Sequence, residues 1–364
     1  MIYLDYAATS KKREYLLKDI IANFDKFNGN PDSIHGYGRE AKKILETSRE
    51  EIAKSIGAKS KDLVFTSGAS ESNNTIISFF SDRGQIISTK IEHPSIIEPV
   101  KEWAKDYLLI NVDDSGTVDL EELASSITPK TKLISIILAN NEMGAIQPIS
   151  KIKSIIGDRD IWLHLDAVQA YGHIDLDIQD LGCDSMSLSG HKIGALNGFG
   201  VLYIRNRVES FILGGNQEKD RRAGTSYIIG AYTMAKSYKF MVEEREQIKD
   251  LKNYLLAELK RRYVNYEING EVENQVDHIL NIYLPFVKSK FLLTYLDMNE
   301  ICVSAGSACT AGSLKPSHVI ENMYDSNRAE SSIRISFGYE NTKEEIDILI
   351  NRLLDIQERI KNER

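Results

Sequence analysis

A chain of 364 residues, 42% of them hydrophobic and 27% charged, has apolar material for one large domain plus a smaller one and is not a disordered polypeptide. Its 45 basic and 53 acidic residues give a formal net charge of -8, so direct nucleic-acid binding is not expected. No apolar run approaches the ~20 residues that cross a bilayer, and the stretch from Met1 to Asp5 lacks a basic segment followed by an apolar core, so the expected location is cytoplasmic, with no membrane contact.

The first helix expected follows His35, with Tyr37, Ala41, Ile44, Leu45, Ile52 and Ile56 on one face and Gly57 to stop it. Gly36 and Gly38 flank Tyr37 without a preceding strand or a third glycine, which excludes a dinucleotide fingerprint. From Leu63 the chain alternates. Strand Leu63 to Thr66 runs into Ser67-Gly68-Ala69-Ser70 and a helix carrying Ile76, Ile77, Phe79 and Phe80. A tight turn opening a helix presents free N–H groups at the positive end of the helix dipole, where phosphate binds; Ser70 is equally able to cap that helix.

Further strands, Gln85 to Thr89, Thr131 to Leu138, Ile161 to Leu165 and Asp184 to Leu188, each end in polar residues. These ends are Glu92-His93-Pro94, Asn140-Asn141-Glu142, Asp166-Ala167-Val168-Gln169 and Ser189-Gly190-His191-Lys192. Near-continuous apolar strands separated by helices indicate an α/β fold, with a mostly parallel sheet covered on both faces. Ligands in such sheets bind beyond the carboxyl ends of the strands. That rule gathers Ser70, His93, Asn141, Asp166, Gln169, Ser189, His191 and Lys192 at one edge. The set suits a planar, phosphorylated, pyridine-based cofactor: a lysine for a Schiff base, a carboxylate for the ring nitrogen and a helix end for phosphate. Taken singly, His93 and His164 are equally readable as structural histidines and Asp166 as a helix cap.

After about residue 245 the texture changes. A charged helix around Glu243 to Arg262 precedes strands Tyr266 to Asn269, Ile279 to Leu284, Ile301 to Ser304 and Ile333 to Phe337. A closing helix opens on the capping box Thr342-Lys343-Glu344-Glu345, with Ile346, Leu349, Ile350, Leu353 and Ile360 facing inward. The expected division is a large domain, 14–250, and a smaller α+β domain built from 1–13 and 251–364. Arg334, between Ile333 and Ile335, either faces solvent or offers its fork to a substrate carboxylate.

The cysteines are Cys183, Cys302 and Cys309, too few and too scattered for a disulfide framework, and no metal site is expected. Cys183 and Cys302 lie beside or in strand-like runs and read as small buried residues. Cys309 stands among Gly306, Ser307, Ala308, Thr310, Ala311 and Gly312, the composition of an exposed, mobile loop, and is a candidate nucleophile.

These motifs occur in the order of a known family. Tyr3-Leu4-Asp5-Tyr6-Ala7-Ala8-Thr9, Gly29-Asn30-Pro31-Asp32-Ser33-Ile34-His35, Thr66-Ser67-Gly68-Ala69-Ser70-Glu71-Ser72-Asn73-Asn74, the four strand ends, Arg221-Arg222-Ala223-Gly224-Thr225 and Gly306-Ser307-Ala308-Cys309-Thr310 span nearly the whole chain. The chain resembles the cysteine desulfurases, pyridoxal-phosphate enzymes of aminotransferase class V on the type I fold, in the subgroup with a long mobile cysteine loop. The resemblance implies that Lys192 forms the Schiff base with pyridoxal 5'-phosphate, His93 stacks on the ring and Asp166 holds the ring nitrogen protonated. Gln169 and Asn141 then lie near the phenolic oxygen and the substrate, while Ala69, Ser70, Ser189 and His191 hold the phosphate. Thr225 reaches the phosphate of a partner subunit, which implies a homodimer. Arg334 takes the carboxylate of L-cysteine, and Cys309 receives the sulfur as a persulfide, leaving L-alanine. The sulfur then passes to an acceptor protein, an iron-sulfur scaffold or a tRNA-thiolating enzyme.

Three departures stand out against this pattern: Ser70 in place of threonine, Ser226-Tyr227 after Thr225, and Gly194-Ala195-Leu196-Asn197 directly after the lysine. Selenocysteine lyase is the alternative with the same cofactor. A non-catalytic scaffold retaining the fold is the alternative without chemistry.

Overall fold

The computed structural model of the chain describes residues 1–306 and 316–362; Cys309 lies outside them. The described strands are β1 (Ile2–Tyr3), β2 (Leu63–Thr66), β3 (Gln85–Thr89), β4 (Tyr107–Ile110), β5 (Thr131–Ile137), β6 (Trp162–Asp166), β7 (Ser185–Ser189), β8 (Gly200–Ile204), β9 (Glu267–Ile268), β10 (Ile279–Tyr283), β11 (Ile301–Cys302) and β12 (Ser332–Ser336). Among them β2 to β8 form a seven-stranded sheet in the order β2-β8-β7-β6-β5-β3-β4. Only β8 runs against the other six.

Side chains alternate across a strand, and here the alternation sorts them into two cores. Leu63, Phe65, Ile87, Ile134, Val201 and Tyr203 join one face. That face is packed by Leu45 and Ile52 of helix Gly36–Lys54 and by Met234 and Met241 of helix Ile228–Arg261. Val64, Ile86, Leu133, Leu202 and Ile204 join the other, under helices Ala69–Phe80 and Pro94–Trp103. Both faces are dry, which is why the strands read as unbroken apolar runs. The α/β, mostly parallel expectation is met.

A further core joins Leu4, Leu251, Leu255, Ile282, Ile301, Ile335 and Leu349. It lies where the antiparallel sheet β12-β10-β9 and the parallel pair β1-β11 meet the closing helix Lys343–Asn362. The capping box forms as expected: Glu345 N–H donates to Thr342 Oγ1 and Thr342 N–H to Glu345 Oε2, both at 3.3 Å.

Several elements differ from expectation, beginning with helix Glu14–Ala22, which precedes the helix expected to be first. β4 and β8 are additional strands, and β8 enters the sheet antiparallel between β2 and β7. A Cβ at Gly200 would lie 2.6 Å from the Gly68 backbone, so β8 approaches the β2 turn only because position 200 carries no side chain. The charged helix begins at Ile228 rather than Glu243; its first half buries Gly230, Ala231, Thr233 and Ser237, small residues that give a weak apolar period. Tyr37 is 66% exposed, because Gly38 is the residue of that first turn packed inward.

Candidate active site

The carboxyl ends of β2, β3, β5, β6 and β7 open into a cavity of about 350 Å³. Ala69, Ser70, His93, Asn141, Asp166, Gln169, Ser189, His191, Lys192 and Arg334 all line it. The residues from Ala69 to Lys192 meet because a parallel sheet puts its strand ends on one side, and Arg334 reaches the same cavity from β12 of the antiparallel sheet. Of the sequence-predicted set, Thr225 does not line this cavity and is exposed.

Lys192 lies in the short turn Gly190–Ile193 that follows β7. Its Nζ donates to the carbonyls of Ala7 and Ala8 at 2.7 and 2.8 Å. Those carbonyls come from the N-terminal strap, which crosses from β1 to the large sheet: Ala7 N–H donates to Ser336 Oγ of β12, and Ser10 N–H to the His191 carbonyl. Gln169 Nε2 donates to the same Ala7 oxygen at 2.9 Å, and its Oε1 contacts His278 Nε2 at 2.9 Å.

Asp166 ends β6 and is 3% exposed. Its Oδ1 accepts from Val168 N–H at 3.1 Å and its Oδ2 from Asn73 Nδ2 at 2.8 Å. It therefore shapes the turn after the strand and also lines the cavity. His93 caps helix Pro94–Trp103, its Nδ1 accepting from Ser95 N–H at 3.1 Å. His164 lies outside the cavity lining; fully buried, it is pushed down to about 3 and is neutral.

At the other end, helix Ala69–Phe80 starts after Gly68 with no side-chain cap, so Ser70 is not its cap and the first N–H groups face the cavity mouth. Glu71 holds this turn, accepting from Ser67 N–H at 2.8 Å and pairing with Arg222 at 2.9 Å. His191, whose Nδ1 lies 3.3 Å from Thr9 Oγ1, is pushed down to about 3 by burial first and by neighbouring Lys192 second.

Arg334 does not face solvent. It is 1% exposed, on β12, with Nη1 donating to the Asn141 carbonyl at 2.7 Å and Nη2 to Asp5 Oδ1 at 2.8 Å. Its buried Nε has no hydrogen-bond partner among the described residues. Cys183 is buried and pushed up to about 12 by burial, as suits a packing residue; Cys302 is half-buried and also raised.

Sequence reasoning missed Ala7 and Ala8, Asp5, Asn73, Ser95 and Gly198 as parts of the site. Asn197, the last residue of the unusual segment after Lys192, and its neighbour Gly198 line the cavity. The Tyr3 to Thr9 motif was visible, but a backbone carbonyl leaves no mark on residue identity.

The sheet order, the lysine at the end of β7 and the acid at the end of β6 define a class. An aminotransferase class-V family model matches residues 2–349, and the chain belongs to that family. Within it the chain stands with the cysteine desulfurases: it is 38% identical over 374 residues to cysteine desulfurase IscS of Dictyoglomus turgidum, covering 99% of this chain and 94% of that one. The counterpart in Ehrlichia chaffeensis is 36% identical over 363 residues, 95% of this chain and 88% of that one. Among solved structures, a NifS-like protein from Rickettsia africae superposes with TM-score 0.89 at 35% identity, covering 98% and 99% of the two chains. SspA in complex with cysteine superposes with TM-score 0.82 at 28% identity, covering 93% and 99%.

Proposed function

We propose that the cavity holds pyridoxal 5'-phosphate on Lys192 and converts L-cysteine to L-alanine, with the sulfur leaving through Cys309. The observation that carries this reading is the convergence of an amine, a buried carboxylate, an imidazole and an uncapped helix start on one cavity. The donor set fits the group. Lys192 supplies the covalent anchor, Asp166 an acceptor for the ring nitrogen and His93 a ring to stack. The N–H groups at Ala69 and Ser70, with Ser189 and His191, supply a phosphate cradle. When bound, the cofactor supplies an electron sink for charge developing on substrate carbon.

The chain's own residues do the rest. Arg334 binds the substrate carboxylate, its unpartnered Nε adding a donor to the fork. Asn141 and Gln169 orient the substrate and the phenolic oxygen. The Lys192 amine, beside two carbonyl acceptors, is placed to carry the proton removed from the substrate α-carbon. The Cys309 thiolate attacks the substrate sulfur. An S–S bond forms, the Cβ–S bond breaks with its electron pair staying on carbon, and that carbon takes a proton to give alanine. The Cys309 persulfide then passes its outer sulfur to an acceptor protein, an iron-sulfur scaffold or a tRNA-thiolating enzyme.

The same reading makes the protein a cytoplasmic homodimer in which Thr225, exposed in one subunit, completes the partner's phosphate site. No helix among the described residues is long and apolar enough to cross a membrane, in keeping with that location. The division into a large domain, 14–250, and a small one, 1–13 with 251–364, is supported by the separate cores, which share helix Ile228–Arg261. The test is cofactor loading. Wild type with pyridoxal 5'-phosphate is expected to gain a visible absorbance band, and borohydride to fix the cofactor on the Lys192 peptide. A Lys192→Ala variant is expected to lose turnover by roughly a thousandfold. A label on another lysine would overturn the assignment.

A further inference from the structure

Asn73 lies one layer behind the cavity, fully buried on helix Ala69–Phe80, and no step above uses it. Its amide nitrogen donates twice, to Asp166 Oδ2 at 2.8 Å and to Ser95 Oγ at 2.9 Å. An amide has two N–H bonds and both are committed. Ser95 Oγ, with an acceptor site filled by Asn73, lies 2.8 Å from His93 Nδ1. That nitrogen already accepts from Ser95 N–H, so the imidazole proton sits on Nε2 and the Ser95 hydroxyl is its second donor.

The amide could serve this way in only one of its two orientations. Reversed, it would set its oxygen against the Asp166 carboxylate. What fixes the orientation is His164, whose Nε2 lies 3.1 Å from Asn73 Oδ1. With both Asn73 N–H bonds committed, its Oδ1 can only accept, so the His164 proton lies on Nε2, which also has Ser187 Oγ at 3.4 Å. His164 Nδ1 is then an acceptor 2.8 Å from Ser185 Oγ, the group that accepts from Trp162 Nε1–H at 2.7 Å.

We propose that Asn73 is a positioning residue that orients Asp166 and, through Ser95, His93, with His164 setting which way its amide faces. The two groups that the proposed function places on the ring nitrogen and on the ring face are thereby tied to one side chain. This inference rests on that function, although its first readout does not need the cofactor.

The test uses the full chain with 15N-labelled histidine, wild type against Asn73→Ala, Asn73→Asp and Ser95→Ala. In wild type the His93 Nδ1 resonance is expected in the acceptor position, and in Asn73→Ala and Ser95→Ala it is expected to move. On titration with pyridoxal 5'-phosphate, Asn73→Ala is expected to bind about tenfold more weakly, the loss of one hydrogen bond to a charged group. Asn73→Asp, the same shape without donors, is expected to bind more weakly still, and both to shift the pH midpoint of the bound cofactor's absorbance. Ser95→Ala leaves the Asp166 arm intact and is expected to keep that midpoint. Folded Asn73 variants with wild-type affinity, midpoint and His93 resonance would overturn the inference. Should they not fold, a Ser95→Ala protein with an unmoved His93 resonance overturns it equally. Wild type that gains no absorbance with the cofactor would instead sink the proposed function.

Discussion

Asp166 and Arg334 are both buried charged groups on the same cavity, and they are held in opposite ways. Asp166 sits at the end of a parallel strand and takes N–H donors from the turn that follows, Val168, and from the helix on the sheet, Asn73. Arg334 sits on the antiparallel sheet β12-β10-β9 and is held by an opposite charge, Asp5, from the N-terminal strap. Neutral donors fix a carboxylate without competing for a ligand's charge. A charge partner balances the guanidinium while leaving Nε unused. Asp166 is thus prearranged by the large sheet and the helix on it, whereas the position of Arg334 depends on a strap and a second sheet meeting. Glu92, beside His93, shows a third solution: fully buried with one oxygen unpartnered, it is pushed up to about 8 by burial and so carries a proton at neutral pH.

The sharpest way to break this contrast is Arg334→Lys. A lysine keeps the charge but loses the fork, so KM for cysteine is expected to rise roughly 10- to 100-fold while the cofactor's absorbance stays as in wild type. A change confined to kcat would remove Arg334 from the substrate side. Asp5→Asn comes next. It leaves the buried guanidinium without its counter-charge, and urea unfolding is expected to show a loss of about 1–3 kcal/mol. Unchanged stability would mean the pair is not what balances Arg334.

A pH-dependent effect tests the third solution. Burial pushes Glu92 up to about 8 from the ordinary carboxyl value of 4.5, so the folded state holds a proton that the unfolded state releases between these limits. Its contribution is fully present below 4.5 and is lost as pH rises through 8. The stability of wild type relative to Glu92→Gln should fall by about 1.4 kcal/mol per pH unit across that window. His164 runs the other way: lowered from 6.5 to about 3, it contributes stability above 6.5 that is lost as pH falls towards 3. Parallel stability curves for wild type and Glu92→Gln would show that Glu92 is not protonated in the fold.

The legible part of the site was the part written at strand ends. His93, Asn141, Asp166, Ser189 and Lys192 each follow an apolar run, and the geometry of parallel sheets predicts where such positions meet. Arg334 was legible only as two alternatives, because alternation along a strand does not say which face is covered until the strap is placed. Asn73 was hidden inside a quoted motif: nothing in its sequence shows that its amide touches Asp166, 93 positions away. Ala7 and Ala8 act through carbonyls, which any residue has. In the fold, β8 was missed because it is short, glycine-opened and antiparallel, and it fits against the β2 turn only because Gly200 has no side chain.

The central claim is that sulfur leaves cysteine in this cavity and is received by Cys309. Wild type loaded with pyridoxal 5'-phosphate and given L-cysteine should yield alanine and transferable sulfur in equal amounts, with the Cys309 peptide heavier by one sulfur atom in mass spectrometry. Alanine formed while that peptide stays unmodified, or sulfur transfer undiminished in Cys309→Ala, would contradict it.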